Sequence, residues 1–225
     1  MDCKRNSFAR FVLLSKLDSL EMIQNIQFSK DDRLWIVPVC CMADSIKDHA
    51  MFEDFFCADG GEGAKYRNTL IAKGAAPENI SILNYFGVPK ESCVQDILNS
   101  QYIVFTGGRM ELGIDRLREL GLDRLLQHYT GTIIGVSAGA LMLFSEYLIT
   151  PNYFYKDLLV CEGLGYIDGR KLMIEVHYSE DDPVQNQAIE LTCAQRQQQI
   201  YAIRQSGYMI VQDGNILQSD GIWTS

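Results

Sequence analysis

The sequence predicts an α/β fold with a mainly parallel sheet and helices on both of its faces. Short apolar runs, rich in β-branched and aromatic residues, alternate along the chain with longer segments of helical periodicity. Several of these runs are continuously apolar, which is typical of parallel strands that are covered on both faces. Strand–helix alternation of this kind implies right-handed βαβ units, whose binding sites lie outside the carboxyl ends of the strands.

Five apolar runs in the first part of the chain predict strands. They are Phe11–Ser15, Leu34–Cys40, Ile80–Tyr85, Tyr102–Thr106 and Thr132–Val136. The segment from Glu111 to His128 predicts a helix, because leucine and isoleucine recur there at intervals compatible with one helix face.

The pattern changes after residue 195. Ile200–Arg204, Tyr208–Gln212 and Asn215–Leu217 predict short strands, and Asp213-Gly214 is typical of a hairpin turn between the last two. We therefore expect a small antiparallel C-terminal extension that completes the sheet. The length is ordinary for one α/β unit, so residues 1–225 are expected to form a single domain.

Composition excludes several classes of function. The formal net charge of -9 argues against a nucleic-acid partner, since binding phosphates needs clustered Lys and Arg. The seven cysteines are scattered and form no CxxC pair, and no run of His, Cys and acidic residues has the spacing of zinc ligands. We expect neither a metal nor a cofactor. The sequence has no signal-peptide pattern and no apolar run of the ~20 residues that cross a membrane, so we expect a cytoplasmic protein without a membrane partner.

The segment TIIGVSAGALMLF carries the strongest chemical signal. An apolar strand runs into Gly135, Ser137 and Gly139 with G-x-S-x-G spacing, and a predicted helix follows. A serine at a tight strand-to-helix turn projects its hydroxyl above the sheet edge, and small neighbours accommodate the strained backbone. The amide of the next residue, Ala138, lies at a helix N-terminus, where it can stabilise developing negative charge. Ser137 is the candidate nucleophile, and a purely structural turn is the alternative.

A serine nucleophile needs a base and an oxyanion site. His177 ends an apolar strand-like run, whereas His49 and His128 lie in segments that predict solvated side chains, so His177 is the favoured base. Gly107-Gly108 follows another predicted strand and could supply an oxyanion amide, although a plain connecting turn explains it equally well.

These residues resemble the dipeptidase E and cyanophycinase family of serine peptidases. The resemblance rests on FTGGR, LRELGLDRLL, GVSAGA, EGLGYID and EVHYSE, and it extends from about Trp35 to Asp213. It implies a flavodoxin-like parallel sheet with the architecture of class I glutamine amidotransferases. It also implies metal-free hydrolysis of small peptides or aspartyl isopeptide-like bonds, with Ser137 as nucleophile and His177 as base. The amides of Gly108 and Ala138 then form the oxyanion hole.

The third member of the triad departs from the family pattern. The position of the family acid corresponds to Gln205, a neutral amide that can orient an imidazole but cannot stabilise its cation as a carboxylate does. Glu175, two residues before His177, is expected on the same strand face and is one substitute. Asp157 and Glu162, between nucleophile and base in the chain, are others. For each of the three acids, an ordinary solvated carboxylate is the favoured alternative.

A second departure bears on substrate recognition. The family has Gly-Gly-Asn where this chain has Gly107-Gly108-Arg109. Arg109, at the substituted position, and Arg204, beside Gln205, are candidates for binding an acidic substrate group. An ordinary surface ion pair is the alternative for each arginine.

The predicted function is hydrolysis of small peptides through a Ser-His acyl-enzyme, with an aspartyl or other acidic residue at the cleaved bond. One alternative is a catalytically impaired family member that binds a small peptide or amino acid without turnover, as the departures suggest. The other is an esterase or amidase on the same fold. The expected partner is a small peptide substrate, and a homodimer is left open.

Overall fold

The computed structural model describes residues 9–41, 46–87 and 90–225, and its strands confirm the predicted α/β class. The strands in chain order are β1 (Arg10–Leu14), β2 (Leu34–Val37), β3 (Ile80–Ile82), β4 (Tyr102–Phe105), β5 (Thr132–Val136), β6 (Glu146–Ile149), β7 (Leu159–Glu162), β8 (Met173–Tyr178), β9 (Ile200–Gln212) and β10 (Asn215–Thr224). All five predicted N-terminal strands are present, although three of them, β2, β3 and β4, are shorter than the apolar run that predicts them.

Helices connect most of these strands. They are α1 (Ser19–Met22), α2 (His49–Phe52), α3 (Glu62–Ala72), α4 (Lys90–Leu98), α5 (Met110–Glu119), α6 (Leu122–Leu125), α7 (Ala138–Leu141) and α8 (Pro183–Arg196). A π-helical turn (Glu53–Cys57) and two 3-10 turns (Pro77–Asn79, Leu126–His128) add to them. Among the described residues, none of these helices has the length and apolar character needed to cross a bilayer.

The central sheet has eight strands in the order β10-β9-β1-β5-β4-β2-β3, with β8 beside part of β9. The pairs β1–β5, β5–β4, β4–β2, β2–β3 and β8–β9 are parallel. Only β9 pairs antiparallel with β1 and with β10, so the predicted antiparallel C-terminal extension is confirmed. The carboxyl ends of β1, β4 and β5 therefore meet at one edge of the sheet.

Apolar side chains of successive strand residues enter two different cores. Phe11 and Leu13 belong to the core that includes Ile114 of α5, whereas Val12 and Leu14 belong to the core that includes Leu70 of α3. Since neighbouring strand residues point to opposite faces, the two cores lie on opposite faces of the sheet. Helices thus cover both faces, as the continuous apolar runs predict.

Two predicted boundaries differ from the structure. The predicted helix from Glu111 to His128 is interrupted after Leu120, because Gly121 adopts a left-handed conformation with φ 70° and α6 starts in a new direction. The two predicted strands between residues 200 and 212 are one strand, β9. The polar residues between its apolar halves mark the place where β9 exchanges its partner β8 for β1.

Candidate active site

Ser137 lies at the turn between β5 and α7. Its backbone has φ 54° and ψ -117°, a conformation that residues other than glycine rarely adopt and that is typical of strained functional turns. The Ser137 amide donates a 2.8 Å hydrogen bond to the carbonyl of Leu14, the last residue of β1. The nucleophile candidate is therefore held by the neighbouring strand as well as by its own turn.

The two glycines of the G-x-S-x-G segment allow close backbone approach. A Cβ on Gly135 would lie 2.5 Å from the Gly139 carbonyl oxygen, and one on Gly139 would lie 2.6 Å from the carbonyl oxygen of Phe105. Real Cβ atoms do not come this close, so only glycine fits at either position. The spacing recognised in the sequence is thus required by the packing of the elbow against β4.

His177 lies beside Ser137, as its position at a strand end suggests. Its Nε2 is 2.8 Å from Ser137 Oγ, and its Nδ1 is 3.1 Å from Gln205 Oε1. Because an amide oxygen only accepts, Nδ1 carries the proton and Nε2 accepts from the serine hydroxyl. His49 and His128 are exposed and lie away from this cleft, in agreement with the sequence interpretation.

The surroundings of His177 favour the neutral imidazole. Burial lowers the pKa of His177, and the positive charge of Lys16 lowers it further, while the hydrogen bond to Gln205 acts in the opposite direction. A neutral imidazole at physiological pH is the form that can accept a proton from Ser137.

Gln205 reaches His177 because of the path of β9. Arg204 is the last β9 residue in register with β8, where it pairs with Tyr178, and β9 then joins β1 at Tyr208. Gln205 is the first residue beyond the β8 pairing, one step past the level of Tyr178, and its side chain reaches His177 Nδ1. Its exposed side chain occupies the position that a carboxylate takes in a Ser-His-acid triad.

The three alternative acids are not bonded to His177. Glu175 is 5% exposed and accepts hydrogen bonds from Thr150 Oγ1 (2.8 Å) and Gln185 Nε2 (3.3 Å). Its second oxygen has no hydrogen-bond partner among the described residues, and burial raises the pKa of Glu175 to about 8. Asp157 is exposed in the connection between β6 and β7, and Glu162 is exposed at the end of β7.

The loop after β4 lies against the nucleophile. A Cβ on Gly107 would lie 3.3 Å from Ser137 Cβ, so this glycine borders the elbow directly. Gly108 has φ 139°, and a Cβ there would lie 1.9 Å from the Cys40 carbonyl oxygen. The loop thus places Gly107 at the elbow and Gly108, the next residue, against Cys40. Across the elbow, Ala138 opens α7 with an amide that has no intrahelical acceptor.

Tyr66 of α3 is a site residue that the sequence did not indicate. Its buried hydroxyl accepts a 3.3 Å hydrogen bond from the Gly107 amide, and burial raises the pKa of Tyr66 far above its usual range. The tyrosine is therefore neutral and holds the β4 loop in place. No sequence motif marks it, because it lies 41 positions before the glycine that it binds.

Both candidate substrate-binding arginines form ion pairs within the protein. Arg109 contacts Glu111 at 2.6 Å, and Glu111 also accepts a 2.9 Å hydrogen bond from the Tyr155 hydroxyl. Arg204 forms an ion pair with Glu180. Neither arginine lines the cleft at Ser137.

An open cleft of about 400 Å³ gives access to Ser137 and His177. Its walls come from the residues that follow β1 and from α3, and they carry both signs of charge: Lys16, Asp18, Glu62 and Lys65. Lys65 forms an ion pair with Glu62 at 2.8 Å, whereas Lys16 forms none with any acid in the described part of the chain. No group of three or more potential metal ligands occurs among the described residues.

Residues 64–219, from within α3 to within β10, match a known protein family described as peptidase family S51. The chain belongs to peptidase family S51. This assignment confirms the resemblance read from the sequence, and the chain is accordingly a serine peptidase. The family match includes both Ser137 and His177.

Two solved structures share the fold of this family S51 chain. One is a Listeria monocytogenes EGD-e protein described as a peptidase E, with a TM-score of 0.64, 15% identity and coverage of 96% of this chain and 99% of that chain. The other is a peptidase from an acI-B1 Actinobacterium, with a TM-score of 0.53, 13% identity and coverage of 97% and 94%. Among curated proteins, no sequence match is found.

Proposed function

We propose that this family S51 chain hydrolyses short peptides through an acyl-enzyme on Ser137, with His177 as general base and then general acid. The observation that carries the proposal is the 2.8 Å contact between Ser137 Oγ and His177 Nε2 at a strained strand–helix elbow. A serine hydroxyl is a weak nucleophile, and an adjacent neutral imidazole is the usual way to activate it.

The proposed reaction proceeds in two halves. His177 Nε2 removes the hydroxyl proton as Ser137 Oγ attacks the peptide carbonyl carbon, and the carbonyl oxygen becomes an oxyanion. The imidazolium then gives that proton to the leaving amine, the C–N bond breaks and the ester of Ser137 remains. In the second half, His177 takes a proton from water as the water oxygen attacks the ester carbon. The bond between that carbon and Ser137 Oγ then breaks, the carboxylic acid leaves, and the imidazolium returns the proton to Ser137 Oγ.

We assign the oxyanion site to the amides of Gly108 and Ala138. Both amides belong to segments that border Ser137. The positive φ of Gly108 and the position of Ala138 as the first residue of α7 support this assignment. Donors fixed before the reaction stabilise the developing charge without reorganisation, and removing one such donor costs about 100- to 1,000-fold in turnover.

We assign the third position of the triad to Gln205. Its oxygen fixes the tautomer that leaves Nε2 free to act as base. An amide has no net charge to stabilise the imidazolium formed in the first half of the reaction, so turnover is expected to be slower than with a carboxylate. Glu175 has no part in this assignment because its hydrogen bonds are with Thr150 and Gln185, and Asp157 has none because it is exposed and is not bonded to His177.

An acidic residue at the cleaved bond remains the proposed preference, and Lys16 is the cation best placed to recognise it. Lys16 lines the cleft together with Ser137 and His177, is exposed and has no acid partner among the described residues. Arg109 and Arg204 are less suited to this task, because an internal glutamate already neutralises each of them. The cleft volume is at the lower end of the roughly 300–1,000 Å³ found for small-molecule sites, which favours short peptides.

The experiment compares aspartyl and asparaginyl dipeptides, which have the same shape, together with a neutral dipeptide and its ester. Amine or alcohol release is measured for the wild type, for Ser137→Ala and for Ser219→Ala, a control on the exposed outer strand. We expect cleavage by the wild type and the control, none by Ser137→Ala, and faster cleavage of the aspartyl peptide. Retained activity in Ser137→Ala would refute the proposal.

The alternative of binding without turnover rests on the neutral Gln205. A fluorophosphonate probe distinguishes it from the peptidase proposal, because the probe reports whether Ser137 is nucleophilic without needing a particular substrate. An unreactive serine combined with a dipeptide-induced rise in melting temperature would favour binding without turnover. A reactive serine that cleaves only the ester would favour the esterase alternative.

A further inference from the structure

The base of the proposed triad sits in an irregularity of the sheet. The parallel register of β8 and β9 pairs Glu175 with Ala202 and then Tyr178 with Arg204, so three steps on β8 match two on β9. His177 lies within this bulge, with φ 57°. Regular pairing between the two strands is interrupted there, so another group must hold the His177 backbone in its left-handed conformation.

The hydroxyl of Ser15 bridges the interruption. Ser15 Oγ accepts a 3.0 Å hydrogen bond from the His177 amide and donates a 2.8 Å hydrogen bond to the Ile203 carbonyl. One hydroxyl can donate one bond and accept another, so both bonds are satisfied together. Ser15 is 0% exposed, and its hydroxyl takes the place of a direct ladder bond between β8 and β9.

Ser15 directly follows the residue that holds the nucleophile. The carbonyl of Leu14 accepts the Ser137 amide at 2.8 Å, and the next side chain in the chain accepts the His177 amide. The end of β1 therefore connects Ser137 and His177 through two consecutive residues. This arrangement fixes the distance between two strands, β5 and β8, that do not pair with each other.

We propose that Ser15 is a positioning residue, whose hydroxyl holds His177 in reach of Ser137; this inference rests on the proposed function of that pair. Ser15 acts through the His177 backbone and makes no contact with the reacting atoms. Removing its hydroxyl leaves the His177 amide and the Ile203 carbonyl without their partner in a buried place. The strained backbone of His177 then relaxes, and the imidazole leaves its bonding distance to Ser137.

The first test compares the kinetics of Ser15→Ala, Ser15→Thr and Ser100→Ala with those of the wild type, all at a temperature where each protein is folded. Ser100 is the matched control, because its buried hydroxyl also bonds a backbone carbonyl, that of Ile97 at 2.6 Å, at the far end of β4. A misplacement of about 1 Å can cost about 100-fold in rate, so Ser15→Ala should lower kcat by about 10- to 100-fold with little change in KM.

The threonine variant keeps the hydroxyl and should recover most of the lost kcat, whereas Ser100→Ala should lose stability without losing kcat. A Ser15→Ala enzyme with the kcat of the wild type would overturn the proposal. So would equal losses in Ser15→Ala and Ser15→Thr, because the effect would then come from packing and not from the hydroxyl.

The second test does not depend on turnover. The chain has 3 histidines, so their imidazole signals can be followed by NMR during a pH titration. Ser15→Ala should change the titration of His177, moving its pKa toward the ordinary value as the ring becomes solvated, and leave the signals of His49 and His128 unchanged. An unchanged His177 signal would refute the positioning role even if no peptide is cleaved. A changed signal without peptidase activity would instead refute the proposed function alone.

Discussion

Replacing Gln205 with glutamate should convert the proposed triad into one with a charged third member. The side-chain oxygen lies 3.1 Å from His177 Nδ1, so the new carboxylate would adjoin the imidazolium that forms during acylation. Two unit charges about 4 Å apart attract by about 1 kcal/mol in water and about 4 kcal/mol at an intermediate dielectric. Gln205 is exposed, so a value of about 1–2 kcal/mol applies, which corresponds to a gain of about 5- to 30-fold in kcat/KM.

The same substitution should also move the pH profile. A carboxylate beside Nδ1 stabilises the charged imidazole and raises the pKa of His177, so the acid limb of kcat/KM should shift to higher pH. Gln205→Ala should lower the rate, because nothing then fixes the tautomer. Gln199→Glu adds the same charge to an exposed position before β9 and serves as the control.

The assay is kcat/KM for one dipeptide between pH 5 and 9 for these four proteins. The reasoning would be refuted if Gln205→Glu left both the rate and the acid limb at their wild-type values. It would also be refuted if Gln199→Glu produced the same shift, because the effect would then reflect net charge and not the contact with His177.

Three further predictions concern the residues around the triad. Burial raises the pKa of Glu175 to about 8 in the folded chain, so the folded carboxyl keeps a proton that the unfolded chain releases above a pKa of 4.5. The free energy of unfolding should therefore fall as pH rises between these two pKa values, by up to about 1.4 kcal/mol per pH unit. Denaturant titrations of Glu175→Gln should lack this pH dependence. Gly108→Ala should abolish peptide cleavage and destabilise the loop, because its Cβ would lie 1.9 Å from the Cys40 carbonyl oxygen; wild-type activity in a folded variant would contradict this geometry. Tyr66→Phe removes the hydroxyl that accepts a hydrogen bond from the Gly107 amide. If the loop after β4 shapes the oxyanion site, steady-state kinetics should show a fall in kcat that is larger than the rise in KM.

The strand–turn–helix elbow at Ser137 could be predicted from the sequence because its signal is local. The strand, the turn and the helix that position Ser137 follow one another within about ten residues, and the required glycines are part of the same segment. The place of His177 could be predicted for a similar reason, since it lies near the carboxyl end of an apolar strand. Both predictions depend on short-range patterns that the fold does not override.

The environment of the base depended on contacts between distant strands. Regular alternation along β8 places Glu175 and His177 on one face, but the bulge between Glu175 and Tyr178 breaks that alternation, and Glu175 bonds Thr150 instead. The proposed contribution of Ser15 could not be predicted from the sequence either, because its hydroxyl bonds a residue 162 positions away. Sequence patterns indicate which residues form a strand, but they do not indicate where its pairing with a neighbouring strand becomes irregular.

Gln205, which is neutral, and Lys16, which forms no ion pair within the described part of the chain, belong to one electrostatic argument. Burial and Lys16 disfavour the imidazolium of His177, and the hydrogen bond to the uncharged Gln205 offsets them only in part. An aspartyl side chain bound at Lys16, as proposed, would neutralise the repelling charge and add a negative one to the same cleft. The substrate would then supply part of the stabilisation that a carboxylate supplies in other triads. This contribution appears only when the imidazolium forms, so the acidic substrate should raise kcat as well as lower KM relative to its asparaginyl counterpart. A preference confined to KM would mean that Lys16 binds the substrate without affecting the base.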